Sequence, residues 1–157
     1  MDLIPMVLLA PVLVAVAYFD LRFMRIPNLL TFIALGVVAV AFLFVPPADL
    51  WTRLAVAAIV LVLGVAAFAF RLIGGGDVKI LPALLLAVPT YCLSIFANVF
   101  AASMIIGIVL VLALRRLPVI NGLGWKTFGG STKFPMGLSI AMSGLAFPLV
   151  VLALRAG

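Results

Sequence analysis

Histidine and glutamate are absent from this chain of 157 residues, and cysteine occurs once, at Cys92. The missing histidines remove the commonest general base and metal ligand. A single cysteine excludes an intramolecular disulfide and any cysteine-cluster metal site. Charge is scarce too: 9% of residues are charged, and the acids are four aspartates, Asp2, Asp20, Asp49 and Asp77. Chemistry in this chain must therefore rest on carboxylates, hydroxyls or lysine, and no metal or cofactor is expected.

What is abundant is apolar. With 68% hydrophobic residues and a mean hydropathy of +1.51, the chain carries more apolar surface than a small soluble core can hide. Its long apolar runs suit helices, since about 20 residues cross a hydrocarbon core of about 30 Å. Barrel strands would instead alternate apolar and polar residues over about 10 positions. The expected fold is an all-α, polytopic membrane bundle of about six transmembrane helices. No long polar stretch marks a second domain, and no convincing internal repeat is present.

The first run, Leu3 to Phe19, lacks the basic flank of a cleaved signal peptide, although Ala15-Val16-Ala17 looks like a cleavage site. It reads as a retained helix with Pro5 and Pro11 in its first half. A polar stretch follows, from Asp20 through Arg22 and Arg25 to Pro27 and Asn28, with Asn28 expected to cap the next helix. Helix two is expected from Leu29 to Val45, ending at Pro46-Pro47. Asp49 reads as a cap or first-turn acid of a third helix, Leu54 to Phe70, with Arg53 in the loop before it. Arg71 and Gly74-Gly75-Gly76 end that helix. A short fourth helix starts near Asp77 and is interrupted at Pro89-Thr90. The fifth runs to Leu114, the longest polar segment spans Arg115 to Lys133, and the sixth covers Phe134 to Leu154.

Charge orients these helices. If the loops holding Asp20, Asp77 and Arg115 to Lys133 share one side, that side carries Arg22, Arg25, Arg71, Lys79, Arg115, Arg116, Lys126 and Lys133, against Arg53 and Arg155 opposite. This bias assigns the three loops to the cytoplasm and both termini to the outside. Asp20 and Asp77 then meet at one membrane face. The net charge of +6 is spread over short loops, which suits lipid headgroups and gives no reason to expect nucleic acid.

Two carboxylates about 3 Å apart share a proton and titrate as a coupled pair. One can draw a proton from water while the other hydrogen-bonds a peptide carbonyl, as in aspartic proteases. Gly74, Gly75 and Gly76 would let a substrate backbone approach Asp77, and the positive end of helix four favours its ionised form. Lys79 adds to that or pairs with lipid phosphate. Plainer readings stand beside these. A glycine turn with an aspartate cap is common between membrane helices, and an acid followed by arginines at a helix end is usually a solvated interfacial pair. Intramembrane acids also serve proton-coupled transporters, although those lie near the bilayer midplane rather than at helix ends.

Three motifs together resemble the prepilin peptidases, membrane aspartic proteases of the GxGD type. They are Asp20-x-Arg22-x-x-Arg25-Ile26-Pro27-Asn28, Gly74-Gly75-Gly76-Asp77-Val78-Lys79, and Pro135-Met136-Gly137-x-x-Ile140-Ala141-x-x-x-Gly144. The chain is most similar to the short members associated with Flp (tight-adherence) pili. The resemblance implies a single membrane protease domain, residues 1–157, in the bacterial inner membrane. It would cleave type IV prepilin leaders at the cytoplasmic face, after the glycine that precedes the pilin's hydrophobic segment. Asp20 and Asp77 correspond to the catalytic pair. Gly74, Gly75, Gly76, Lys79, Arg22, Arg25 and Asn28 are candidate substrate-binding or supporting residues, with the two arginines anchoring headgroups or meeting an acid of the pilin. A preflagellin or signal-peptide-peptidase-like substrate is the alternative within the same chemistry. Long members carry a cytosolic loop with a cysteine tetrad and also methylate the new terminus; this chain has neither loop nor tetrad, so methylation has no support. Gly137, Ala141 and Gly144 also form a small-residue stripe, expected to let helix six pack closely on a neighbour.

Overall fold

The structure, a computed structural model, describes residues 3–116, 125–128 and 134–156. Its helices are α1 (Ile4–Phe23), α2 (Asn28–Phe44), α3 (Leu50–Ala69), α4 (Asp77–Leu86), α5 (Leu93–Arg115) and α6 (Met136–Ala156), with a single 3-10 turn at Thr90–Cys92 before α5. No strand occurs among the described residues. α1, α3, the stretch Thr90–Arg115 and α6 are each long and apolar enough to cross a membrane. The chain is a multi-pass helical membrane bundle.

α2 is apolar but has 17 residues, and α4 has only ten. Ten residues of α-helix cover about 15 Å, half the hydrocarbon core. α4 and the chain that follows it run antiparallel to α3. Val78 lies against Gly64, where an added β-carbon would sit 3.2 Å from Val78 Cγ1. At the other end of α3, Asp49 Oδ2 accepts hydrogen bonds from Thr90 N–H at 2.8 Å and Thr90 Oγ1 at 2.6 Å. Pro89 precedes the turn at φ −60°, ψ 137°, an extended conformation in which the helix cannot continue.

α6 is the centre of the bundle, packed against α1, α4 and α5, while α2 and α3 close the far side of α4. Leu9, Leu13 and Val16 of α1, Ile80 and Leu84 of α4, and Ile140, Ala141 and Phe147 of α6 form the core. Phe147 meets Phe96 of α5 edge-on at 5.5 Å. The small-residue stripe on α6 does pack closely. A β-carbon at Gly144 would stand 2.6 Å from Leu13 Cδ1 and 3.1 Å from Leu84 Cδ1, so the glycine lets three helices meet. Ile59, Val62 and Leu63 of α3 and Ile105 and Val109 of α5 face outward, as lipid-exposed helix surfaces do.

Several local expectations are corrected. α1 continues one turn past Phe19, so Asp20 lies within the helix rather than in the following loop. Asn28 is the first residue of α2 and makes no cap; Pro27, extended at ψ 140°, precedes it. Arg53 lies in the first turn of α3, not in a loop, and is 3% exposed. Asp49 does occupy the position before α3, but its carboxylate makes no cap bond. It accepts Arg53 Nε at 2.8 Å instead, while Arg53 Nη1 reaches Leu86 O at 3.4 Å and its guanidinium lies 5.8 Å from the Phe42 ring. Desolvation of Asp49 opposes its ionisation, but the Thr90 hydrogen bonds and Arg53 outweigh it and hold the carboxyl down at about 2. Of the polar segment Arg115 to Lys133, positions 117–124 and 129–133 lie outside the described residues, as does Asp2.

Both helices that lead into the candidate site end on a non-glycine residue with positive φ: Met24 at 52° after α1 and Arg71 at 59° after α3. Arg71 N–H donates to Phe68 O at 2.8 Å and Leu72 N–H to Ala67 O at 3.0 Å, the paired bonds of a Schellman ending in which glycine usually takes the Arg71 position. A side chain there costs about 1 kcal/mol.

Candidate active site

Asp20 is carried on the last turn of α1 and is 6% exposed. Its Oδ2 accepts the Leu138 N–H at 3.2 Å, which puts the carboxylate at the N-terminus of α6, where unpaired amides and the helix dipole favour negative charge. Close approach of the two helices depends on Gly137. A β-carbon there would stand 2.8 Å from Asp20 Oδ2 and 2.8 Å from Ile26 Cδ1. On the other side, the 125–128 segment braces the end of α1. Lys126 N–H donates to Arg22 O at 3.0 Å, Trp125 meets the Tyr18 ring edge-on at 6.0 Å, and the fully buried Thr127 hydroxyl lies 3.5 Å from Asp20 O.

Asp77 is the first residue of α4 and is 8% exposed. The glycines before it have separate tasks. A β-carbon at Gly74 would fall 2.7 Å from Asp77 Oδ2, so this glycine leaves the carboxylate its place. At Gly76 it would fall 2.8 Å from Ile26 Cβ, so this one lets the glycine turn pack on the loop that follows Asp20. Gly75 lies against the Phe68 ring. Asp77 Oδ1 is buried and accepts no hydrogen bond among the described residues. A buried oxygen without a partner is costly unless something else binds there.

Both carboxylates line the same two adjoining cavities. One, of about 720 Å³, lies between Asp20, Asp77, Met104 of α5, Phe134 and Met136. The other, of about 770 Å³, is bounded by Ile26, Pro27, Asn28 and Gly74 to Gly76. The pair thus stands where the two spaces meet. The plainer reading of Asp20 as a solvated partner of nearby arginines fails, because it is buried and the ion pair among the described residues is Asp49–Arg53.

The supporting residues expected from sequence separate into two groups. Gly74, Asn28 and Arg25 join Asp20 and Asp77, and Gly75 and Gly76 line the second cavity with them. Lys79 does not. Two positions along the helix from Asp77, it faces away and donates from Nζ to Asn28 Oδ1 at 3.1 Å, beside an apolar groove between α2, α3 and α4. Arg22 is also outside, hydrogen-bonded to Tyr18 and lying over the Tyr18 and Phe23 rings at 5.7 and 5.1 Å. Sequence reasoning missed Gly137 and Leu138 as neighbours of Asp20, having read their motif as packing. It counted Arg71 and Lys126 only as topology charges, yet both line the first cavity. The position of Arg71 directly before the glycine turn is the one local signal for it.

No curated protein and no solved structure matches the chain. The sequence pattern of the type IV leader peptidase family matches residues 7–112, a range that holds Asp20, the glycine turn and Asp77. By that match, over more than half its length, the chain belongs to the type IV leader peptidase family.

Proposed function

We propose that this peptidase is a membrane aspartic endopeptidase that removes the leader from type IV prepilins of the Flp type, with Asp20 and Asp77 as the catalytic pair. The observation that carries the reading is the pair itself: two buried carboxylates on α1 and α4 face common cavities, one at the N-terminus of α6 and the other at that of α4. An endopeptidase needs room for chain on both sides of the scissile bond. The adjoining cavities supply it.

In this mechanism the two carboxylates hold one proton between them. Asp20 Oδ2 already accepts an N–H, whereas Asp77 Oδ1 accepts nothing, so the shared proton has a free oxygen on Asp77. From there it hydrogen-bonds the substrate carbonyl. Asp20 takes a proton from water as the water oxygen attacks the carbonyl carbon, giving a tetrahedral intermediate. Collapse breaks the C–N bond, and the leaving amine takes a proton from the pair. The α6 N-terminus offsets the negative charge that Asp20 carries until it takes the proton from water.

The positive-inside bias supports a cytoplasmic active site and external termini. It is sharper than a simple count suggests, because Arg53, on the sparse side, is buried and paired with Asp49. The absence of a cysteine tetrad from this sequence, which holds one cysteine, favours cleavage without methylation and the Flp-type substrate. Co-expression with a candidate Flp prepilin tests the reading through the gel shift of leader removal. Asp20→Asn and Asp77→Asn are each expected to abolish the shift. Retained cleavage in either would overturn the shared pair.

A further inference from the structure

The cavity between the carboxylates and α5 is lined by three cations from three separate segments: Arg25 after α1, Arg71 after α3, and Lys126 of the segment that braces α1. All three side chains are exposed. None forms an ion pair among the described residues, where Asp49 is held by Arg53 and neither Asp20 nor Asp77 is bridged. Their charges are therefore not used to neutralise the carboxylate pair. Arg71 is kept, moreover, at a positive φ where glycine would end α3 without strain.

We propose that Arg25, Arg71 and Lys126 form a subsite for an acidic side chain of the substrate, close to the scissile bond. This rests on the endopeptidase reading and names a determinant of its specificity. A substrate carboxylate entering beside the pair would meet repulsion from the shared negative charge. Three cations lining the same cavity, none in an ion pair among the described residues, reverse that, and two of them are arginines able to grip a carboxylate through paired N–H donors. A cavity of about 720 Å³ admits only a few residues of chain, so the acid lies within about four residues of the bond. An anionic lipid headgroup has the same chemistry, but one seated there would obstruct the substrate.

The test uses the full chain in nanodiscs and a set of prepilin-type peptides, each with one glutamate placed at one of the four positions on either side of the scissile bond, matched by glutamine controls and by lysine peptides. At one position or more, the wild type is expected to cleave the glutamate peptide with KM about tenfold below that of its control, as a charge-assisted contact implies. In Arg71→Gln and in Arg25→Gln that ratio falls towards one, Arg71→Lys restores part of it, and Arg71→Glu inverts it in favour of a lysine peptide. The wild-type ratio is measured without any variant, so a variant that fails to fold leaves the test standing. A ratio near one at every position, or one unchanged in both arginine variants, overturns the subsite. So does an arginine effect equal for both peptides and reproduced by exchanging phosphatidylglycerol for phosphatidylcholine, which assigns the cations to lipid. Cleavage that depends on Asp77 but ignores the glutamate sinks the subsite alone; no Asp77-dependent cleavage of any peptide sinks the endopeptidase reading with it.

Discussion

The backbone N–H of Leu138 donates to Asp20 Oδ2 across 3.2 Å, joining residues 118 positions apart and seating a carboxylate of α1 on the first turn of α6. The contact depends on Gly137, because a side chain there would collide with the carboxylate it helps to hold.

Gly137→Ala is therefore expected to displace Asp20 or the start of α6 and to lower prepilin cleavage by about a hundredfold, in line with a misplacement of about 1 Å at a reacting group. Comparing its gel shift with that of Asp20→Asn checks this, with the detergent melting curve reporting whether the bundle is retained. Near-normal cleavage would mean that Asp20 does not need the α6 amides.

Gly144→Ala has no contact with the carboxylates and should act on stability instead. Its methyl would stand 2.6 Å from Leu13 Cδ1, and overpacking of that kind costs about 1–3 kcal/mol. Gly36→Ala is the matched control, since a β-carbon there meets nothing within 4 Å. It is expected to leave stability unchanged or raise it by up to about 1 kcal/mol of helix propensity, read from the melting temperature. Equal melting of the two variants would contradict the close packing of α6 on α1.

Asp49→Asn removes the carboxylate partner of Arg53, whose side chain is 3% exposed. Leaving that cation buried without its anion is expected to cost about 3 kcal/mol. The pH dependence has a definite sign. The folded Asp49 carboxyl, at about 2, lies below its ordinary 3.8, so its stabilisation is complete above about pH 4 and is lost as the pH falls towards 2. Melting temperature against pH should show that acid limb in the wild type and a shallower one in Asp49→Asn.

Lys79→Met should keep cleavage within about twofold of wild type, since an exposed polar contact such as that with Asn28 contributes little. The same gel-shift assay decides. A loss comparable to that of Asp77→Asn would return Lys79 to the site despite its direction.

Arg71→Gly is expected to relieve the positive φ and stabilise the end of α3 by about 1 kcal/mol, while the discrimination between glutamate and glutamine peptides is lost. Thermal melting and the KM ratio, measured on one preparation, should move in opposite senses.

By itself the sequence determined the class, the helix order and the two acids worth singling out. Apolar runs are long and local, so composition and period report them directly, and the absence of histidine and glutamate left few residues able to do chemistry. The Gly74 to Asp77 turn was legible for the same reason, being a local break in an apolar chain. What only the tertiary structure decided is which polar groups face each other. Asp20 is buried at the far N-terminus of α6, Lys79 turns away from Asp77, and Arg53 closes on Asp49 instead of lying in a loop. Arg71 and Lys126, read from the sequence as topology charges, and Arg25, read as a headgroup anchor or a partner for an acid of the pilin, line the same cavity. Spacing along the chain carries no record of these pairings, because each joins segments that meet only when the helices pack and exclude water from between them.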